Sequence, residues 1–303
     1  MPFNIKTKGT GAIADIAIDE MLVKVSKQTE PKGELSWCLP CRLIYNSKFF
    51  NSEELTEIYT KSYFQLEERI HDLDVFVYND EIFLNWYSKH IYQMVKNIEK
   101  EYNRTINDIY DIGGRDGFVL KDLAEERYQC TVLDPIPRAS CSPKVKKRDV
   151  WSSEVVSKDG VDLVLFCDVL AHCVDIQKEI GNLRNIVKDD GLVYLEVPYD
   201  IGTVFFWLLF LKWRGKNLPI DVTHFTYFSR RSIIRLLEGN GLKCLKFSYE
   251  KLPGHKGVTH MSVLAKIKEN VPQGRYKGIS LFFGLFESRI ILKWIKQIFA
   301  AFG

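Results

Sequence analysis

Asp111, Asp116 and Asp134, three carboxylates set around Gly113, Gly114 and Gly117, are the residues best spaced for chemistry. The run Asp111-Ile-Gly-Gly-Arg-Asp-Gly117 is a glycine turn with an acid at its start and another inside it. Without Cβ, Gly113 and Gly117 let the backbone turn sharply and let a ligand approach it. A helix opening near Asp116 would aim its unpaired N–H groups at whatever occupies the turn. Asp134 follows Gly117 by 17 residues, close to the roughly 20-residue offset at which such an acid takes ribose hydroxyls. Two ligand classes compete for this arrangement. A pyrophosphate prefers Gly-x-Gly-x-x-Gly and is repelled by carboxylates. A ligand carrying an ammonium group suits them.

The elements that must hold this turn are legible as patterns. Ile109 to Ile112 is a short apolar run entering the turn. A helical stretch follows, with Phe118, Leu120 and Leu123 on its apolar side, and Cys130 to Leu133 is a second apolar run ending at Asp134. Strand, glycine turn, helix, strand and acid make half of a nucleotide-binding parallel sheet. Upstream, Glu81 to Tyr102 repeats apolar residues at Ile82, Trp86, Ile91, Met94, Val95 and Ile98, the spacing of an amphipathic helix. Such a helix would cover one edge of the ligand pocket. Downstream, Val161 to Cys167 is an apolar run of the buried parallel kind. A helix is predicted from Asp175 to Val187, then a turn at Gly191 and a strand from Leu192 to Pro198. Ser229 is a good N-cap for a helix over 231–240 that Gly241 ends. Leu242 to Tyr249 and Val258 to Ile267 are predicted as an antiparallel pair finishing the sheet.

Four of these segments carry a resemblance. The turn resembles the Asp-x-Gly-x-x-x-Gly motif of class I S-adenosylmethionine (SAM) methyltransferases. Asp168-Val-Leu-Ala-His-Cys-Val-Asp175 is similar to that family's Val-Leu-Glu-His-x-x-Asp segment, with Ala171 in place of the glutamate. The strand ending Glu196-Val-Pro198, and His224 followed by Phe228-Ser229, are similar as well. Cys38-Leu-Pro-Cys41 and the aromatic, acidic stretch after it resemble the amino-terminal part of sugar and polysaccharide methyltransferases, where a second Cys-x-x-Cys stands in that place. A structural zinc needs four ligands. No cysteine precedes Cys38, so no metal is expected.

The resemblance implies an α/β fold: a doubly wound, seven-stranded, mainly parallel sheet. It implies SAM as cofactor, held by Asp111, Gly113, Gly114, Asp116 and Gly117 around the methionine part, Asp134 at the ribose, Asp149 at the adenine and Asp168 where its strand ends at the cofactor. It also implies a small-molecule or glycan acceptor, a sugar hydroxyl in polysaccharide or glycolipid synthesis. His224 is then a candidate general base, since imidazole accepts a proton near neutral pH; fixing its loop by a hydrogen bond is the other role open to it. His172 is a second candidate. A non-catalytic protein of the same fold, acting through its carboxy-terminal tail, is the alternative function.

Length and composition fit this outline. The 303 residues suit roughly two domains of about 150 each. The hydrophobic and charged fractions, 46% and 27%, are those of a globular protein. A net charge of +3 is too small to argue for nucleic acid. Seven scattered cysteines and an amino terminus without an apolar signal region point to a reducing cytoplasm. The expected division is 1–78 as an accessory region, 79–268 as the methyltransferase domain and 269–303 as a tail. In the first region Ile13 to Val25 reads as a strand pair or a short helix, and Ser52 caps a helix through Tyr63. Ile201 to Leu211, an uncharged apolar run, is too short to span a bilayer. The tail, Ile279 to Gly303, reads as an amphipathic helix with a wide apolar face and flanking basic residues. It would lie at the inner membrane surface, or pack against the body or a second subunit.

Overall fold

The structure is a computed structural model that describes residues 5–8, 32–38, 42–46, 81–136, 139–155, 160–173, 175–199, 224–251 and 259–268. The chain divides into two units, Met1–Lys268 and Glu269–Gly303, and the second lies outside the described residues. So do the expected helix from Ser52 to Tyr63, the run Ile13 to Val25, Cys41, the apolar run Ile201 to Leu211 and the amphipathic tail.

The described elements follow in order. Strands β1 (Ile5–Lys8), β2 (Lys32–Cys38) and β3 (Leu43–Asn46) come first, then helix α1 (Glu81–Glu101). Next are β4 (Asp108–Ile112), a 3-10 turn (Phe118–Leu120), α2 (Lys121–Ala124), β5 (Gln129–Leu133), β6 (Lys146–Arg148) and β7 (Val161–Cys167). A 3-10 turn (Leu170–His172), α3 (Ile176–Asn182), β8 (Val187–Pro198), β9 (Thr226–Tyr227), α4 (Arg230–Gly239), β10 (Leu242–Glu250) and β11 (His260–Ile267) complete the set.

The main sheet has seven strands in the order β10-β11-β8-β7-β4-β5-β6. β6, β5, β4, β7 and β8 are parallel, while β11 and β10 join antiparallel. The chain steps outward from β4 to β5 and β6, then returns to β7 on the other side of β4. That reversal opens a crevice at the carboxyl ends of β4 and β7, the place where open α/β sheets bind ligands. The turn after β4, the end of β5 and the end of β7 therefore meet.

The burial pattern explains the topology. Ile109, Leu163, Val164, Leu165, Val193 and Leu195 are all buried at about full depth, because β4, β7 and β8 are covered on both faces. α1 buries Tyr87, Ile91, Val95 and Ile98 on one face of the sheet, beside Ile109, Leu163, Leu165 and Tyr194. α3 and α4 cover the other face with Ile180, Ile233, Leu236 and Leu237. Each fully buried aliphatic side chain contributes about 1.5–3 kcal/mol. At the opposite end from the crevice, Asp162 accepts from the N–H groups of Asn107 (2.8 Å) and Asp108 (3.0 Å) and from Lys188 Nζ (2.6 Å). This ties the start of β7 to the start of β4.

A smaller four-stranded sheet runs β1-β2-β3-β9. Its last strand comes from far along the chain: Ile44 pairs with Tyr227 and Tyr45 with Thr226. The amino-terminal strands therefore brace the segment that carries His224.

Three local expectations change. The turn expected at Gly191 lies inside β8, which runs Val187–Pro198. The helix after the glycine turn is only a 3-10 turn and the four-residue α2. Eleven residues separate Gly117 from Gln129, and they must also carry the chain back to the start of β5. The third helix also ends early, at Asn182, and a 3-10 turn over Leu183–Asn185 replaces its last turn.

Candidate functional site

The glycine turn is built by its neighbours. Gly113 has φ +69°, and a Cβ there would lie 2.5 Å from Val169 Cγ2. Gly117 has φ +83° and would strike Val145 and Val132. A Cβ on Gly114 would run into the Asp111 carboxyl group, 2.6 Å from its Cγ. Three glycines at these positions are thus required by close approach, two of them also by the left-handed backbone. Gly113 N donates to Leu133 O (2.8 Å) and Gly117 N to Gly114 O (2.8 Å), which closes the turn against β5.

The acids converge on it. Asp111 is 1% exposed, and its Oδ2 has no hydrogen-bond partner among the described residues. Burial, and then the carboxylates of Asp134 and Asp116, push its pKa up to about 8. Asp134 is buried too; its Oδ2 accepts from Arg115 N (3.0 Å) and its Oδ1 from Ile136 N (2.8 Å). Asp116 Oδ1 accepts from Phe118 N (3.2 Å). A buried carboxylate oxygen without a donor is costly and rare. It fits a ligand that brings a donor of positive charge, such as an amino-acid ammonium group. It opposes a pyrophosphate. The residues present therefore suit SAM.

Asp149 stands differently. Its side chain is about half exposed and pairs with Lys147, which also donates to Ile136 O (2.7 Å). The lysine links Asp149 to the loop after Asp134, at the edge of the crevice.

Asp168 follows β7 in the left-handed region, φ +55°. Its N–H donates to Glu196 O (2.9 Å), and its Oδ2 lies 3.0 Å from His260 Nε2. Glu196 is 1% exposed and accepts from the Tyr87 hydroxyl at 2.6 Å. Burial and the Asp168 charge raise the Glu196 pKa to about 7, against the pull of Tyr87 and His260. Sequence reading did not single out Tyr87, Glu196 or His260 as site residues. The signal for Glu196 was present: one acid inside the otherwise apolar Leu192–Val197 strand. Tyr87 and His260 carried no pattern that distinguishes them from core residues.

His172 and His224 lie 52 residues apart in sequence, and the fold brings them together. Their ring centroids are 4.7 Å apart at an interplanar angle of 65°. His172 ends the 3-10 turn that follows β7. His224 is brought beside it because Phe225 N donates to Ala171 O (2.8 Å). The Tyr227 ring stands 6.2 Å from His224. No group of metal-binding side chains occurs among the described residues.

Comparison with known proteins agrees with this architecture. Residues 86–246 match a family model described as a methyltransferase domain. No curated protein shows a significant match. Among solved structures, the chain is similar to a 1,6-didemethyltoxoflavin-N1-methyltransferase of Burkholderia thailandensis solved with S-adenosylhomocysteine. The identity is 12%, the match covers 80% of this chain and 98% of that one, and the TM-score is 0.55. A SAM-dependent methyltransferase of Clostridium acetobutylicum matches at 13% identity over 67% of this chain and 99% of that one, with a TM-score of 0.45. The N-methyltransferase NodS of Bradyrhizobium japonicum matches at 15% identity over 63% and 99%, with a TM-score of 0.45. The family match spans more than half of the chain and contains the crevice, the glycine turn and the converging acids: the chain belongs to the methyltransferase-domain family and is a SAM-dependent methyltransferase.

Proposed function

We propose that the protein methylates a hydroxyl of a small-molecule or glycan acceptor, a sugar in polysaccharide or glycolipid synthesis. The single observation that supports this most is the histidine pair, His172 and His224, beside the end of β7. A hydroxyl must lose its proton as it is methylated, and a positioned imidazole contributes about 10²–10⁴-fold to such a step. His224 takes that proton, and His172 sets the orientation of its ring. SAM, when bound, supplies a methyl group activated by the sulfonium. The chain's own groups do the rest. Asp111 and Asp168 take the positive charge of the methionine part, Gly113, Gly114, Asp116 and Gly117 shape the turn around it, Asp134 takes ribose hydroxyls, and Asp149 reads the adenine.

In this reading residues 79–268 carry the reaction, and 1–78 brace the acceptor side through the β3–β9 pairing. The tail, 269–303, holds the protein at a membrane surface where a lipid-linked acceptor would be found. No described helix is long and apolar enough to cross a membrane. The test is transfer of labelled methyl from SAM to a panel of nucleotide sugars, oligosaccharides and small amines. Label on a sugar hydroxyl supports the reading. Label on amines alone overturns it.

A further inference from the structure

A row of polar groups crosses the sheet under α1, and the transfer step described above uses only part of it. Asp111 on β4 lies beside Leu165 on β7; two residues on, Cys167 lies beside Glu196 on β8. Glu196 pairs with Ser262 on β11, and Ser262 with Ser248 on β10. Period-two alternation puts all of these on one face, the face closed by Tyr87. Ser248 and Ser262 both donate to Glu250 Oε1, at 2.6 and 2.9 Å. Two oxygens in the row, Asp111 Oδ2 and Glu196 Oε1, are buried with no hydrogen-bond partner among the described residues. Both carboxyl groups act on the Cys167 thiol and, with Asp168, push its pKa up beyond the effect of desolvation. The two orphaned oxygens stand on the strands that flank β7, near the carboxyl ends that meet at the crevice.

We propose that Asp168, Glu196 and His260, closed over by Tyr87, form a proton-adjusting wall of the donor site that takes the positively charged donor with loss of a proton and the uncharged thioether product without it. The inference rests on the donor site read above. SAM and S-adenosylhomocysteine share adenosine, amino and carboxyl groups and differ only in the methyl on sulfur and the positive charge that comes with it. A carboxyl that is protonated when the site is empty can ionise when a fixed cation arrives. Glu196 is placed for that: one oxygen accepts from Tyr87 and the other is left over. The groups that face it are Tyr87 from α1, Cys167 and Asp168 from β7, Tyr194 from β8, Glu250 from β10 and His260 from β11. Most of them are acids or weak acids, which favours the proton while no cation is bound. His260, 3.0 Å from Asp168, opposes it. His260 acts through Asp168 and is a positioning residue.

The test uses the full chain and calorimetric titrations with SAM and with S-adenosylhomocysteine, each in two buffers of different ionisation enthalpy, at pH 7 and 8.5. With Glu196 near 7, the wild type should release about half a proton more for SAM than for the product at pH 7, and nearly none at pH 8.5. Glu196→Gln should abolish that difference and lower the SAM-to-product affinity ratio about tenfold, the equivalent of one pKa unit. His260→Gln should move the difference to higher pH, because it removes the group that counteracts protonation. A purely structural role would not shift that window. Equal proton release for both ligands in the wild type, or a difference that survives unchanged in both variants, overturns the inference and leaves the donor site standing. If the wild type binds neither ligand, the donor site and the inference fall together. Should Glu196→Gln fail to fold, the wild-type difference and its pH window decide the matter.

Discussion

Replacing Asp111 with asparagine separates the stability of the fold from its use. The carboxyl group is buried, one oxygen has no partner, and its pKa rises from 3.8 to about 8. In the folded chain the protonated form is therefore favoured. Asp111 costs nothing below its unfolded value near 4, and its cost grows as pH rises toward 8. At about 1.4 kcal/mol per unit, the ionisation penalty is on the order of 4 kcal/mol by pH 7, an upper figure because buried sites relax. Asparagine keeps the shape and cannot ionise. Asp111→Asn should leave the ligand-free protein as stable as wild type near pH 4 and increasingly more stable up to pH 8. Urea unfolding at pH 4, 5, 6, 7 and 8 measures this directly. SAM affinity should move the other way. Loss of a charged hydrogen bond worth about 1.5–3 kcal/mol weakens binding roughly 10- to 150-fold. Parallel stability curves for the two proteins, or undiminished SAM binding, would refute the reasoning.

Other expectations follow from single contacts. Gly113→Ala must place a methyl 2.5 Å from Val169 and hold φ at +69°, which should cost about 2–4 kcal/mol in thermal unfolding, with partial recovery in the Val169→Ala background. His224→Ala should lower methyl transfer about 10²–10⁴-fold while leaving S-adenosylhomocysteine binding within about twofold, and His172→Ala added to it should cost little more. Asp162→Asn keeps one acceptor oxygen but loses the charge and the second acceptor, so it cannot serve both the two backbone N–H groups and Lys188, and it should destabilise by about 1.5–3 kcal/mol at neutral pH. Those partners hold the Asp162 carboxyl below the ordinary aspartate range, against the opposing effect of burial. Its contribution is therefore present above the unfolded value and lost as pH falls through the folded value, so wild type and variant should converge in acid urea titrations.

The sheet was legible because its signals are local. β4, β5, β7 and β8 are apolar runs bounded by turn residues, and the antiparallel finish follows from two such runs. Ser229 caps α4 as its sequence suggests: Ser229 Oγ accepts from Ser232 N at 3.1 Å. The turn glycines and their acids were legible for the same reason, since residues 111–117 fold on themselves. What escaped was produced by distant pairing. β9 is two residues long and exists because β3 pairs with it across about 180 residues of chain. The approach of His172 to His224 depends on a single backbone bond from Phe225 to Ala171. Tyr87, Glu196 and His260 meet because three elements stack at one end of the sheet. No periodicity in any one of them carries that information.

The central claim is a donor site for SAM in the crevice at the turn after β4. The measurement that tests it most directly is a calorimetric titration of the purified protein with S-adenosylhomocysteine and, separately, with NAD, beside Asp134→Ala. The account predicts saturable one-to-one binding of S-adenosylhomocysteine, lost in the variant, and no heat of binding for NAD. Binding of NAD in its place, or affinity for S-adenosylhomocysteine that survives Asp134→Ala unchanged, would contradict it.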